Sequence, residues 1–319
     1  MKLYRDILSQ GWQYTLQTPH LWILGFFVAL MVGSGGEIDR YLRYINALVS
    51  EGNILNPQFW TQQTWFNVIQ RLALALAAGD VNVWLFVVLL VVSIIAVVTM
   101  MMMAQGGLIY AATHPKTTGY AGVMKAGFTH AVPLFFLHIL EYLIIAVPVL
   151  VVSSLIVASN IGGSFDQARL FLVVVSSFIL LPVVVTVSLV SRYAANYIVV
   201  QGQHLGRALH SAWRLFWKHW LVSIEMALVV FSVALMISIF VVLAVVISVA
   251  PYFMAVATDF ETPYAHIFNG VFVGVVMYVL GMVLFTGIFT TWQSYSWTLL
   301  FQRLLESRPT GTLLRVFQK

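Results

Sequence analysis

Long apolar runs alternate along this chain with short segments of helical amphipathic character. The apolar runs fall at about 19–35, 81–113, 131–159, 168–191, 220–250 and 269–300, with polar or charged residues between them. A helix that crosses a bilayer needs about 20 apolar residues, so each run predicts one spanning helix and the chain predicts six. The longest runs exceed what the hydrocarbon needs, which predicts tilt or projection beyond it. The first run is the shortest: its apolar heart covers 21–32 and is followed by Gly33, Ser34, Gly35 and Gly36. That sequence resembles a signal-peptide cleavage region, but the long polar stretch before it, containing Asp6, argues for a retained helix.

The segments before the first, third and fifth runs share a pattern. In the third copy Leu205, Leu209, Ala212, Trp213, Phe216, Trp217 and Trp220 are expected on one face, and Arg207, His210, Arg214 and Lys218 on the other. Such a helix belongs at a membrane surface. The first copy sets Tyr4, Ile7, Leu8, Gly11, Trp12 and Leu16 against Arg5, Ser9, Gln10, Gln13 and Gln17. The second sets Tyr120, Val123, Met124, Gly127 and Phe128 against Lys125 and Thr129. A small residue followed by an aromatic recurs at Gly11–Trp12, Gly127–Phe128 and Ala212–Trp213. The second helix of each hairpin carries one strong polar residue near its end, at Gln105, Arg192 and Gln293. The expected fold is therefore all-α and polytopic: six transmembrane helices arranged as three repeats of interfacial helix plus hairpin. The units cover about 1–113, 114–197 and 198–300 of a single membrane domain spanning 1–319. A helical insertion at 37–80, expected as two outer-surface helices, interrupts the first unit, and 301–319 forms a tail.

Composition agrees with the pattern: 61% of residues are hydrophobic, 8% are charged and the mean hydropathy is +0.93. A soluble domain carries about 25% charged residues. There is no cysteine, which excludes disulfides, thiolate metal ligation and a cysteine nucleophile. Lysine and arginine concentrate on one side of the predicted topology, at positions including Lys2, Arg5, Lys116, Lys125, Arg192, Arg207, Arg214, Lys218, Arg303 and Arg308. The positive-inside rule then puts both termini in the cytoplasm. The net charge of +5 is read as orientation plus attraction to anionic inner-leaflet lipid, with no nucleic-acid partner expected. Lys125, Arg207, Arg214 and Lys218 are the expected headgroup contacts.

The run Arg192-Tyr193-Ala194-Ala195-Asn196-Tyr197, leading to Gly206-Arg207-Ala208-Leu209-His210-Ser211-Ala212-Trp213, resembles a prokaryotic six-helix membrane family. That family includes the membrane domain of glycerophosphodiester phosphodiesterases and related stand-alone proteins. The resemblance implies a six-helix fold in a bacterial plasma membrane. It implies no hydrolysis, because the His-Arg-Gly and paired acidic residues of the separate catalytic barrel are absent from this chain.

Candidate chemistry lies with ionisable groups inside the apolar runs, which are costly in a bilayer. His138 and Glu141 are three apart and share a helical face. Counting from the start of its run puts Glu141 near the midplane, with Glu225 and Arg192 shallower. These four could form a cytoplasm-facing polar site, or Glu141 could pair with His138 or Arg192 as a structural bridge. No metal site or cofactor is expected, since a histidine and a carboxylate leave coordination incomplete. Pro148 and Pro182 predict kinks, Gly106–Gly107 a close helix approach, and Met100–Met103 adaptable packing. No hydrolase triad or phosphate loop is recognisable, so no enzymatic activity is expected. Two functions follow: a non-enzymatic membrane module in envelope or lipid homeostasis that binds lipid or a partner protein, or a small transporter or lipid carrier working around Glu141.

Overall fold

The computed structural model describes residues 2–32, 81–114, 119–158, 167–258 and 263–306, together with positions 70, 74 and 79. A helix, α1 (Lys2–Gln17), leads through a 3₁₀ turn (Pro19–Leu21) into α2 (Trp22–Val32). Then follow α3 (Val81–Thr113), α4 (Tyr120–Ala158), α5 (Gln167–Gln201), α6 (Leu205–Lys218), α7 (Trp220–Thr258) and α8 (Pro263–Glu306). Among the described residues there is no strand. Five helices are long and apolar enough to cross a membrane: Val81–Thr113, Tyr120–Val151, Phe178–Gln201, Trp220–Val256 and Ile267–Glu306. The chain is an all-α, multi-pass integral membrane protein. Its first apolar run is helical to Val32, and the rest of that run lies outside the described residues, as do the expected outer-surface helices of 37–80 and the tail after 306.

The helix boundaries follow local chemistry. Between α1 and α2, Pro19 cannot donate a backbone hydrogen bond, and Thr18 closes the preceding turn by donating its hydroxyl to the Tyr14 carbonyl at 2.8 Å. Between α5 and α6 the chain turns at Gly202, whose φ of 63° suits a residue without a Cβ. Between α6 and α7, His219 takes a non-helical conformation while its N–H still reaches the carbonyls of Leu215 and Phe216. The segment from Tyr120, expected from the sequence as a second amphipathic copy, differs from this pattern. It runs without a break into the following apolar stretch as α4, with Pro133 and Pro148 inside the helix.

Burial is concentrated at one end of the bundle. On α3, Ala104, Leu108, Ala111 and Ala112 are buried, whereas Leu85, Leu89, Val92 and Ile95 are exposed. The same division holds on α8, where Trp297, Leu300 and Phe301 are buried and Phe268, Phe272 and Leu284 are exposed. The packed end also gathers α1, α6, the start of α4, the end of α5 and the start of α7 into one core containing Tyr4, Ile7, Leu137, Tyr193, Ala212, Met226 and Phe301. The exposed apolar helix surface beyond it suits hydrocarbon, in which such side chains need no protein partner.

Small residues hold the packed end together. A Cβ at Gly127 of α4 would collide with the Met103 carbonyl of α3 and approach the Gly107 nitrogen to 3.1 Å. A Cβ at Gly25 of α2 would strike the Gly287 carbonyl of α8, and one at Gly11 of α1 would lie 2.6 Å from the Ser296 hydroxyl. In the three small-aromatic pairs, Gly11, Gly127 and Ala212 are all buried, and Trp12, Phe128 and Trp213 are all exposed. By contrast, open space surrounds Gly206. Gly127→Ala is therefore expected to cost about 1–3 kcal/mol through overpacking, seen as a lower thermal midpoint in detergent. Gly206→Ala should leave that midpoint unchanged or raise it slightly, because the new methyl meets nothing and helix propensity improves.

Candidate functional site

The three helices that return to the packed end, α3, α5 and α8, each contribute one strong polar side chain to a common cavity. Gln105, Arg192 and Gln293 line it, together with Ile109, Asn196 and Trp297 one turn further along the same helices. α4 closes the remaining side with His138 and Glu141. The cavity measures about 50 Å³. A single water needs about 10–15 Å³ by this measure, so a small cluster of waters or one small polar group fits.

Two of its members form a bridge. His138 Nδ1 lies 2.9 Å from Glu141 Oε2, and its Nε2 lies 2.7 Å from Gln105 Oε1. Gln105 accepts from a protonated Nε2 or, with its amide rotated, donates to a bare one. The Ser188 hydroxyl donates to Glu141 Oε1 at 3.4 Å. Glu141 is only 3% exposed, so these contacts replace the water its carboxyl would otherwise hold. The Arg192 guanidinium carbon sits 5.4 Å above the Trp297 ring, a cation–π geometry. Several groups around the cavity are less well provided for. Gln293 Nε2, Asn196 Oδ1 and the hydroxyls of Thr290 and Thr298 are buried and have no hydrogen-bond partner among the described residues. Unpaired buried groups are costly, and their gathering round one cavity gives them a common route to satisfaction by water or a polar ligand.

Three of the four residues expected to cluster, His138, Glu141 and Arg192, do line this cavity. Glu225 does not. It accepts a 2.5 Å hydrogen bond from the Tyr4 hydroxyl and thereby ties α7 to α1. Burial, reinforced by that bond, raises the Tyr4 phenol above its ordinary range. Counting along the helices gives the position of the site within the bundle. Gln105 lies about 36 Å from the Val81 end of α3, and Arg192 about 38 Å from the Gln167 end of α5. Glu141 is about 26 Å from the Ala158 end of α4. The cavity thus lies toward the packed end, and most of a bilayer's thickness of apolar helix extends beyond it. Ser188, Asn196, Thr290 and Thr298 are the lining residues that the sequence left unmarked. Single hydroxyls and amides in apolar helices are common, and only their convergence distinguishes them.

The second feature is the rim formed by α6. Its buried face is Ala208, Ala212, Leu215 and Phe216. Trp213 and Trp217, expected with the apolar face, are exposed instead, and their rings meet edge to face at 5.6 Å. Residues 213 and 217 flank the cationic stripe rather than the core, because 100° per residue rotates them past the buried face. Lys125, Arg207, Arg214 and Lys218 are all exposed, and Arg214 donates to His210 Nε2 at 2.9 Å. The rim thus sets exposed cations beside exposed indoles, an arrangement suited to headgroups above and acyl chains below. Among the described residues, no group of three or more His, Asp or Glu side chains is placed to hold a metal ion. No family model, curated protein or solved structure matches this chain.

His219, at the junction of α6 and α7, carries a pH dependence. Burial, and secondarily the neighbouring Lys218 charge, lowers its pKa below the ordinary histidine value. The unfolded chain therefore holds the proton more tightly. The stabilisation from neutral His219 is complete above about pH 6.5 and is lost as pH falls from there through the lowered folded value. The thermal midpoint should drop between about pH 7.5 and about pH 5, and His219→Gln should drop less over the same interval.

Proposed function

We propose that this chain is a non-enzymatic module of a prokaryotic plasma membrane that acts at the lipid interface in envelope or lipid homeostasis. In this reading it is built from six spans in three interfacial-helix-plus-hairpin units, with both termini cytoplasmic. The observation that carries it is the α6 rim, where Arg207, Arg214 and Lys218 stand exposed beside Trp213 and Trp217, at the packed end of a bundle whose long helices expose apolar side chains beyond it. The three buried-small, exposed-aromatic pairs support the repeat, as does the convergence of Gln105, Arg192 and Gln293 on one cavity. The His138–Glu141 bridge then serves as a polar fastener between α4 and α3.

Each basic residue near an anionic surface contributes about 1 kcal/mol. In vesicles mixing phosphatidylglycerol with phosphatidylcholine, the protein should enrich phosphatidylglycerol among its tightly held lipids, as read by native mass spectrometry. The triple change Arg207→Gln, Arg214→Gln, Lys218→Gln should weaken that preference by about two orders of magnitude if the terms add. Added salt should erase most of the difference. A preference unchanged by both treatments would remove the basis for this reading.

A second reading, a small transporter or lipid carrier working around Glu141, is favoured by the unpaired polar groups of the cavity. The absence of cysteine makes the two readings separable. Ser188→Cys is nearly isosteric and Glu141→Cys sits on the bridge itself. In folded protein, neither should react with a membrane-impermeant thiol reagent from either side if the cavity is a structural pocket. Rapid labelling of both from one side would establish an open path to the cavity and favour the carrier.

A further inference from the structure

A cleft of about 520 Å³ opens between α1, α7 and α8. Its wall is almost entirely apolar, with Phe285, Ile288 and Trp292 following one another along α8. The stretch from Trp292 to Phe285 covers about 10 Å of that helix. Polar side chains enter the lining only from α1, where Arg5 and Ser9 lie one turn apart and Trp12 continues the same stripe. Arg5, Ser9 and Trp12 are exposed. Arg5 is the one charged residue among the described lining residues. A comparable cleft of about 500 Å³ between α3 and α4, lined by residues such as Ile95 and Phe135, has no charged residue among its described lining residues.

We propose that the α1–α7–α8 cleft is a discrete binding site for one anionic phospholipid, with an acyl chain along Phe285, Ile288 and Trp292 and the phosphate on Arg5. The chemistry of the two ends selects this occupant. An apolar trough alone would take any acyl chain, as the α3–α4 cleft would. A guanidinium at the mouth adds a bidentate partner for phosphate oxygens, and Ser9 supplies a further hydroxyl donor. The exposed Trp12 indole occupies the level between chain and headgroup that such rings favour. The site rests on the reading that α1 lies at a lipid interface. It is distinct from the α6 rim, because its single cation is on another helix and its affinity includes chain burial.

The test is native mass spectrometry of the 319-residue chain, delipidated in detergent and titrated with phosphatidylglycerol. The first lipid should bind more tightly than those that follow. Arg5→Gln should weaken that first step about fivefold, and Arg5→Lys should recover part of the loss. Ile288→Trp, which fills the trough and keeps Arg5, should remove the distinct first step. Arg214→Gln should leave the first step intact and weaken later ones. If Ile288→Trp does not fold, Arg5→Gln still decides the matter, since residue 5 is exposed. A first step unchanged by Arg5→Gln overturns the site. Were the rim substitutions alone to reduce lipid binding, the cleft would be excluded while the lipid-interface reading stood. If no substitution altered any step, both would fall.

Discussion

Backbone-to-backbone contact at small residues is the constraint from which the rest of this molecule follows. Gly25 against Gly287, Gly127 against Met103 and Gly107, and Gly11 against Ser296 allow helices to touch where any side chain would hold them apart. In hydrocarbon there is little hydrophobic gain in joining two apolar helices, so close packing must supply the attraction. These contacts occur at one end of the bundle, and there the helices converge. Where they are absent, along most of the outer lengths of α3 and α8, the side chains remain exposed to what would be lipid.

That convergence explains why the polar residues lie where they do. Gln105, Arg192 and Gln293 belong to three different helices and meet because those helices converge at the packed end. Gln105 there meets His138, whereas Gln293 Nε2 has no hydrogen-bond partner among the described residues. Glu141 is held by His138 and Ser188, and Arg192 lies over Trp297. The same packed end carries α6, whose buried alanines and Phe216 leave its cations and indoles no direction but outward. Site and rim are thus two consequences of one packing arrangement.

Much of this was legible along the chain. The apolar runs marked the five long helices, and the amphipathic period marked α1 and α6. The i,i+3 spacing of His138 and Glu141 marked their bridge, because neighbours on one helix face are fixed by helical geometry alone. The recurrence of Gln105, Arg192 and Gln293 was visible as a pattern, but not their meeting. Other features were not legible. Glu225 looked like a member of the polar site because it is ionisable and lies in an apolar run, yet its partner is Tyr4, 221 positions away. Trp213 and Trp217 were expected on one apolar face of α6 with Ala212 and Phe216, whereas the protein-packed face takes Ala208, Ala212, Leu215 and Phe216 and leaves both indoles exposed. The continuity of α4 through Pro133 was likewise not marked along the chain.

The sequence by itself determined that this protein belongs in a membrane and is helical. Those outcomes depend on composition and on local period, and hydrocarbon leaves the backbone of a spanning segment no better choice than a helix. It also determined which residues would be expensive to bury. Only the tertiary structure decided how that expense is met: which returning helices share a cavity, which carboxylate finds histidine and which finds tyrosine, and which aromatics face outward. Those outcomes depend on distances between helices far apart in the chain; the sequence marked Gly106–Gly107 as a place of close approach, but not which helix would come to it.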